Sequence, residues 1–473
     1  MKRRSGAVPA AWCLACLFAL AAGAVADDRE MVSEIFRTAL AEGRTHQLLR
    51  ELCLRYPHRL SGSPESEAAN RWVKTVMEER GLEVRLQEVM VPYWERGDTM
   101  VVEVAVDGRT EALSALALGG SVGTPVGGLE APVIEVDSLE QVEALGETGI
   151  EGRIVFFNRA LDQGRVRHFE AYMGAADQRV SGAAMAGRFG AVAVLVRSLS
   201  FLDDDYPHTG GLRYEEGVRQ IPAAAISVRA ANRLSLLLSA SPQLRVSILM
   251  NCRQREDQVS HNVIGELKGS VHPDEYITIG AHFDAWDVGE GAQDNGSGSM
   301  QSIEAVYLLQ ELGYEFRRSV RVVMFANEEY LVGQPFRGGQ VYAEEALKKG
   351  EKHYAAIETD AGAFTPRGFG VEGPPAMVER VRSWLEYFDT DNTVHYVAEG
   401  GGGPEIWVLN ELLGTPTFDL RTDTQRYLDF HHSDNDTFDK VNRRELELGT
   451  AAMASLLYLI DTHGLTEQPD AER

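Results

Sequence analysis

The sequence predicts an α/β protein: a mostly parallel central sheet flanked by helices, with a second α/β domain inserted into it. Three observations carry that reading. From Asn262 onward, short apolar strand-like runs alternate with helical patterns, the arrangement that gives a parallel sheet covered on both faces. Residues of metal-ligand type recur where those runs end. Between about residues 121 and 252 the texture changes to short strands and alanine-rich helix, with no cluster of such ligands.

The elements follow in order. Glu30 to Leu54 reads as one helix, broken at Tyr56-Pro57, and Ser61-Gly62-Ser63-Pro64 forms a turn before a helix from Glu65 to Arg80. Leu82 to Val91 and Val101 to Val106 alternate as strands do. The junction Ser121-Val122-Gly123-Thr124-Pro125 opens the second block, with strands at Val133 to Val136, Arg153 to Phe157, Ala191 to Val196, Ala223 to Val228 and Leu244 to Met250. Its helices run from Gly182 to Phe189 and up to Leu238, and His208 reads there as a loop residue rather than a ligand. The last block alternates strands (Asn262 to Leu267, Tyr276 to Gly280, Val320 to Ala326, Tyr354 to Glu358, Thr393 to Val397, Pro416 to Leu420) with helices (Ser297 to Leu312, Val341 to Lys349, Pro375 to Tyr387, Glu405 to Leu412, Arg444 to Thr462). The expected domains are 27–120 and 253–466 for the main body, and 121–252 for the insertion.

The first 26 residues are set apart. Lys2, Arg3 and Arg4 precede an apolar run from about Ala10 to Ala22, and Ala24-Val25-Ala26 forms a small-x-small cleavage site, the layout of a secretory signal peptide. The apolar run is short for a bilayer span, and the residues before Cys16 match a lipoprotein signal poorly. Cleavage after Ala26 gives a secreted or periplasmic chain starting at Asp27, with no membrane association afterwards. The formal charge is -25, and no Lys/Arg cluster stands out. Nucleic acid and anionic membrane surfaces are therefore excluded as partners. Cys53 and Cys252 remain after cleavage and leave room for one disulfide, whose proximity the sequence does not show.

The stretch Tyr276 to Gly298 organises the chemistry. Its strand runs into His282-Phe283-Asp284, and a glycine-rich loop then delivers Asp294-Asn295-Gly296 to a long amphipathic helix. Ligands of open α/β sheets bind at the carboxyl ends of strands. Asp284 lies on the same side of an extended chain as His282 and is placed to accept the second imidazole N–H. Asn327-Glu328-Glu329 and Thr359-Asp360 follow two further strands, and His431-His432 lies in a loop before the last helix. Each motif alone is ordinary. Together, two histidines, a shared aspartate, a glutamate and another aspartate suit a pair of zinc ions.

GAHFDAWDVGEGAQDNGSG, ANEE, ETDAG and FHHSDNDT, in that order, resemble the M28 family of co-catalytic zinc peptidases. HRLSGSP, PYWERG, SVGTP and PHTGG extend the resemblance over nearly the whole mature chain. It implies that Asp294 bridges two Zn2+, that His282 and Asp360 complete one site, and that Glu329 and His432 complete the other. It further implies Glu328 as general base, Asp284 as the residue orienting His282, and a cis peptide at Asp294-Asn295. Residues 121–252 then resemble a protease-associated domain. The implied activity is hydrolysis of dipeptides and short peptides with a free amino terminus, by a homodimer. Tyr427 and His431 are candidate donors to the tetrahedral oxyanion. Two departures bear on specificity: the loop after Glu329 is longer than the family's usual turn, and Glu405 stands where relatives often carry aspartate. The alternatives are a single-zinc glutaminyl cyclase and a non-catalytic binding ectodomain on the same scaffold.

Overall fold

Two eight-stranded sheets organise residues 27–330 and 337–466, the part of the chain that this computed structural model describes. The signal segment and most of the loop after Glu329 lie outside the described residues.

The first sheet is ordered Glu83–Val91, Gln258–Leu267, Arg318–Phe325, His272–His282, Lys352–Glu358, Thr417–Thr422, Pro366–Glu372, Tyr396–Glu399. Its four middle strands are parallel. Around them the sheet is mixed rather than mostly parallel: the Gln258 and Glu83 strands add antiparallel on one side, and the Pro366 strand adds antiparallel on the other. Helices Ser297–Glu311 and Arg337–Lys349 supply the long crossovers that parallel neighbours need. The short return from Glu358 to Pro366 permits antiparallel pairing on one flank, and on the other the Glu83 and Gln258 strands are joined through the second sheet. The Pro366–Glu372 strand has no clear apolar alternation in PRGFGVE, and the sequence reading passes over it. Its glycines serve close approach: a Cβ on Gly370 would collide with the Asp419 carboxylate.

Helix Ser297–Glu311 is buried along almost its entire length rather than amphipathic. It lies between the sheet and helices Asp28–Glu42, Thr45–Arg55 and Arg443–His463. Even its Glu304 is enclosed, with a hydrogen bond of 2.6 Å from Arg80. The N-terminal run expected as one helix breaks at Gly43-Arg44, where Thr45 Oγ1 donates to Glu447 of the last helix at 2.8 Å.

The second sheet is ordered Arg109–Ala112, Met100–Val106, Arg245–Met250, Leu129–Val136, Ile154–Phe157, Ala193–Arg197, Ala223–Ile226, Ala115–Ala117. Three of its strands precede residue 121 and fall within the stretch 27–120 assigned from sequence to the main body. The sheet has apolar clusters of its own on its two faces. Cys53 packs in the core of the first sheet and Cys252 against the second, and both are buried free thiols.

One buried side chain fixes the loop between His282 and the central helix. Arg59, of the HRLSGSP turn, donates to the carbonyls of Phe283 (2.8 Å), Glu290 (2.7 Å) and Gly291 (2.8 Å). Replacing it by methionine keeps much of the volume and leaves three buried acceptors without donors. Each such group costs about 1–3 kcal/mol, so Arg59→Met is expected to lose roughly 3–5 kcal/mol of unfolding free energy in urea denaturation. A loss below about 1 kcal/mol would contradict this account.

Candidate metal centre

The parallel register brings the predicted ligands to one edge. His282 pairs with Phe325, and Gly280 pairs with Glu358. The three strands therefore end level, and the residues that follow them, Glu328, Glu329 and Asp360, face the crevice that His282 faces. Asn327 adopts a left-handed conformation at φ 65° and turns the chain sharply at the strand end. Asp294 comes from the helix side. It precedes a cis peptide to Asn295, and the turn packs so tightly that a Cβ on Gly298 would strike the carbonyl of Thr359.

Asp294 is 4% exposed, and its two oxygens face different partners. Oδ1 lies 3.3 Å from His282 Nε2, which is itself 3.6 Å from Asp360 Oδ1. Oδ2 lies 3.4 Å from His432 Nε2, which is 3.0 Å from Glu329 Oε2. All five predicted ligands thus converge, with Asp294 between two pairs. His431 is adjacent as well, with Nε2 at 3.8 Å from Asp294 Oδ2 and its ring stacked on that of His432 at 3.5 Å.

Asp284 departs from its expected contact. The nearest acceptor to His282 Nδ1 is the main-chain carbonyl of Asp284 at 3.1 Å, while the carboxylate is at 3.7 Å. The carboxylate instead accepts the backbone N–H groups of Glu328 (3.1 Å) and Glu329 (3.4 Å). Asp284 therefore positions both glutamates as well as the imidazole.

Asp436 does the same for Asp294. Its oxygens accept from the main-chain N–H groups of Gln293 (2.7 Å) and Asp294 (3.1 Å). In the sequence neither it nor Arg59 shows a ligand-like spacing. The histidine loop is tied from the second sheet too: Thr209 N donates to the carbonyl of His432 at 2.8 Å, and His208 Nδ1 lies 2.7 Å from the carbonyl of His431. His208, a loop residue as expected, thus supports the site without facing it.

The donor set suits cations. Among the described residues, His282 Nε2 and both carboxylate oxygens of Glu329 are buried without a hydrogen-bond partner. Burial, with the charges of Asp294 and Asp284 and of Glu328 beside it, holds the Glu329 carboxyl well above the ordinary carboxylate range. Burial does the same to Glu328, assisted by Glu405, Asp360 and Asp294. Buried carboxylates crowded this way repel one another's charge, and divalent ions relieve that repulsion. Imidazole and carboxylate donors of this number favour zinc. The crevice is a cavity of about 1180 Å³ lined by Asp294, Glu328, Glu329, Asp360 and both histidines of the loop, with Tyr172 and Arg179 on the wall from the second sheet.

Residues 262–457 match Peptidase family M28. Carboxypeptidase Q of Bos taurus is 31% identical over 426 residues, which cover 89% of this chain and 86% of that one. A peptidase M28 precursor from Shewanella amazonensis superposes with a TM-score of 0.86 at 31% identity, over 94% of this chain and 99% of its own. A zinc aminopeptidase from Bacillus subtilis shares the fold at 18% identity, with a TM-score of 0.61 and coverage of 91% and 96%. The converging ligands and the near full-length likeness lead to one conclusion: the chain belongs to peptidase family M28 and is a metallopeptidase.

Proposed function

We propose that this metallopeptidase is a secreted two-zinc exopeptidase acting on dipeptides and other short peptides with a free amino terminus. The observation that carries the reading is the division of Asp294, whose two oxygens face His282 with Asp360 on one side and His432 with Glu329 on the other. In this reading those five residues hold the ions, residues 121–252 form a protease-associated-like domain, and the chain works as a homodimer. Zinc, when bound, supplies a Lewis acid for the peptide carbonyl and makes water a better nucleophile at neutral pH. Glu328 borders the cavity next to Glu329, where it takes a proton from the attacking water and passes it to the leaving amine. Asp284 positions Glu328 through the main-chain N–H. Tyr427, whose hydroxyl donates to Asp360 at 3.4 Å, and His431 border the place where the oxyanion forms.

The alternatives have less support. A single-zinc cyclase needs one ligand set, and the two pairs of donors on either side of Asp294 favour two. A binding ectodomain has no need of Glu328 or of the aspartates that position the ligands.

Metal analysis of the purified protein should give two zinc ions per chain. His432→Ala should retain one and His431→Ala two, because His432 approaches both Glu329 and Asp294 while His431 approaches Asp294 alone. One zinc in the unaltered protein would reject the two-metal reading. The opposite result for the two variants would exchange the roles of the histidines.

Glu328→Gln keeps shape and metal but removes proton transfer, a contribution of about 10²–10⁴-fold. The loss should appear in kcat, with KM little changed. Near-normal kcat with both ions bound would remove Glu328 from the mechanism.

Asp436→Asn tests the support of Asp294. An amide can accept through only one atom, so one of the two main-chain N–H groups loses its partner. Zinc affinity, read by competition with a chelator, should fall about 10–100-fold. Unchanged affinity would mean that the Asp294 main chain holds its place unaided.

A further inference from the structure

Three stretches far apart in the chain, PYWERG, WDVGEG and PHTGG, meet at Arg96, a side chain that the mechanism above leaves unused. Arg96 grips the carboxylate of Asp287 with two arms of its fork, Nε at 2.9 Å from Oδ2 and Nη2 on Oδ1. Its third nitrogen, Nη1, donates to the carbonyl of Ala117, which also accepts from Thr209 Oγ1 at 2.8 Å. Nη1 and Nη2 lie 3.4 and 3.5 Å from that same hydroxyl. The Arg96 and Asp287 side chains are only 11% and 22% exposed, so water and salt screen this pair far less than a surface pair. The guanidinium also lies 5.0 Å from the ring centroid of Trp94, which is itself held by a hydrogen bond from Nε1 to the carbonyl of Ser121 at 2.9 Å.

The two attachments of Arg96 belong to different sides of the metal centre. Asp287 lies in the loop from His282 to Asp294, between two predicted ligands. Thr209 lies across from it, and its N–H holds the carbonyl of His432 at 2.8 Å. Arg96 therefore joins the loop that carries His282 and Asp294 to the residue that holds the main chain of His432. These connections are not equally replaceable. Asp294 has separate supports in Asp436 and, through the loop carbonyls, in Arg59. Among the described residues, the carbonyl of His432 accepts from Thr209 alone.

We propose that Arg96 is a positioning residue for the zinc site of Glu329 and His432. By locking Asp287 to Thr209 it sets how far the His432 imidazole stands from Asp294. The inference rests on the two-zinc reading and adds an asymmetry to it: one ion depends on the Arg96 contact and the other does not. Only a planar fork can do this. A lysine ammonium is a single point of charge and cannot reach both oxygens of Asp287, the Ala117 carbonyl and the Thr209 hydroxyl together.

The test follows zinc release to a chelator from the purified zinc-loaded protein and its variants. Arg96→Gln should weaken one ion by about 10–100-fold, the effect of losing an outer partner of a metal ligand, and leave the other unchanged. Asp287→Asn should weaken the same ion, and the two substitutions together should add little, because both groups act through one contact. In the His432→Ala background, Arg96→Gln should leave the remaining ion as it was. Activity of Arg96→Gln should be lost at limiting zinc and restored by added zinc, with KM unchanged. Hydrogen exchange in the metal-free protein reads the contact without any ion: the Thr209 amide should lose protection in Arg96→Gln while helix Ser297–Glu311 keeps its own. Weakening of both ions alike, or of neither, overturns the proposal, and so does unchanged protection at Thr209. If Arg96→Gln does not fold, Asp287→Asn, which keeps the shape of its side chain, carries the same comparisons. A single zinc in the unaltered protein rejects the two-zinc reading, and the exchange at Thr209 then still decides the role of Arg96.

Discussion

The position of the Asp294 carboxylate is the constraint on which the rest of the site depends. It must reach His282 with one oxygen and His432 with the other, so it has almost no freedom. Three devices hold it. The strand register brings the ends of the His272, Arg318 and Lys352 strands level. Asp436 accepts both the N–H of Asp294 and that of the preceding residue. Arg59 fixes the loop between His282 and Asp294 by three carbonyls. Each device acts on the main chain, so the ligands are set by backbone position and little is left to side-chain rotation. Sites arranged in advance in this way spend no reorganisation during the reaction.

The second sheet is joined to this centre. Trp286 leaves the metal loop and packs in the core of the second sheet, while its indole meets the His432 ring edge-on at 5.6 Å. In return, the Pro207–Gly211 segment of the second sheet holds the carbonyls of His431 and His432 and cradles Arg179. The two sheets thus share one wall of the cavity. A change in that packing would move the loop that carries His431 and His432 as well as the rim of the cavity.

Much of this was legible in the sequence because the relevant signals are local. A strand ending in His-x-Asp, another ending in Asn-Glu-Glu and a third ending in Thr-Asp declare themselves one by one, and strand ends on a parallel sheet face one crevice. Signals of longer range were not legible. Nothing local in Pro366–Glu372 marks a strand, since its glycines answer to neighbours across the sheet. Nothing in Ser297–Glu311 tells burial on all sides from burial on one, because serine, glutamine and glutamate occupy positions that the helices above it enclose. The carboxylate of Asp284 binds two N–H groups more than forty residues away, and nothing near Arg59 in the sequence marks the three distant carbonyls that it binds.

Glu405 shows how such long-range contacts alter a departure from the family pattern. The sequence marks it as glutamate where aspartate is common. In the fold it is fully buried against Glu358, and among the described residues three of the four carboxyl oxygens of the pair find no donor outside the pair. Burial raises both groups above the ordinary carboxylate range, assisted by the charge of Asp360 at Glu358 and by Glu358 itself at Glu405. Two such carboxyls cannot both be ionised at close range, and a shared proton is the stable arrangement. The remaining oxygen of Glu358 accepts from the N–H of Ile406 at 3.2 Å. The pair therefore fastens the Gly401–Glu405 wall of the cavity to the strand that ends two residues before Asp360. Glu405 opens helix Pro404–Leu413, so the link holds the start of that helix beside the strand.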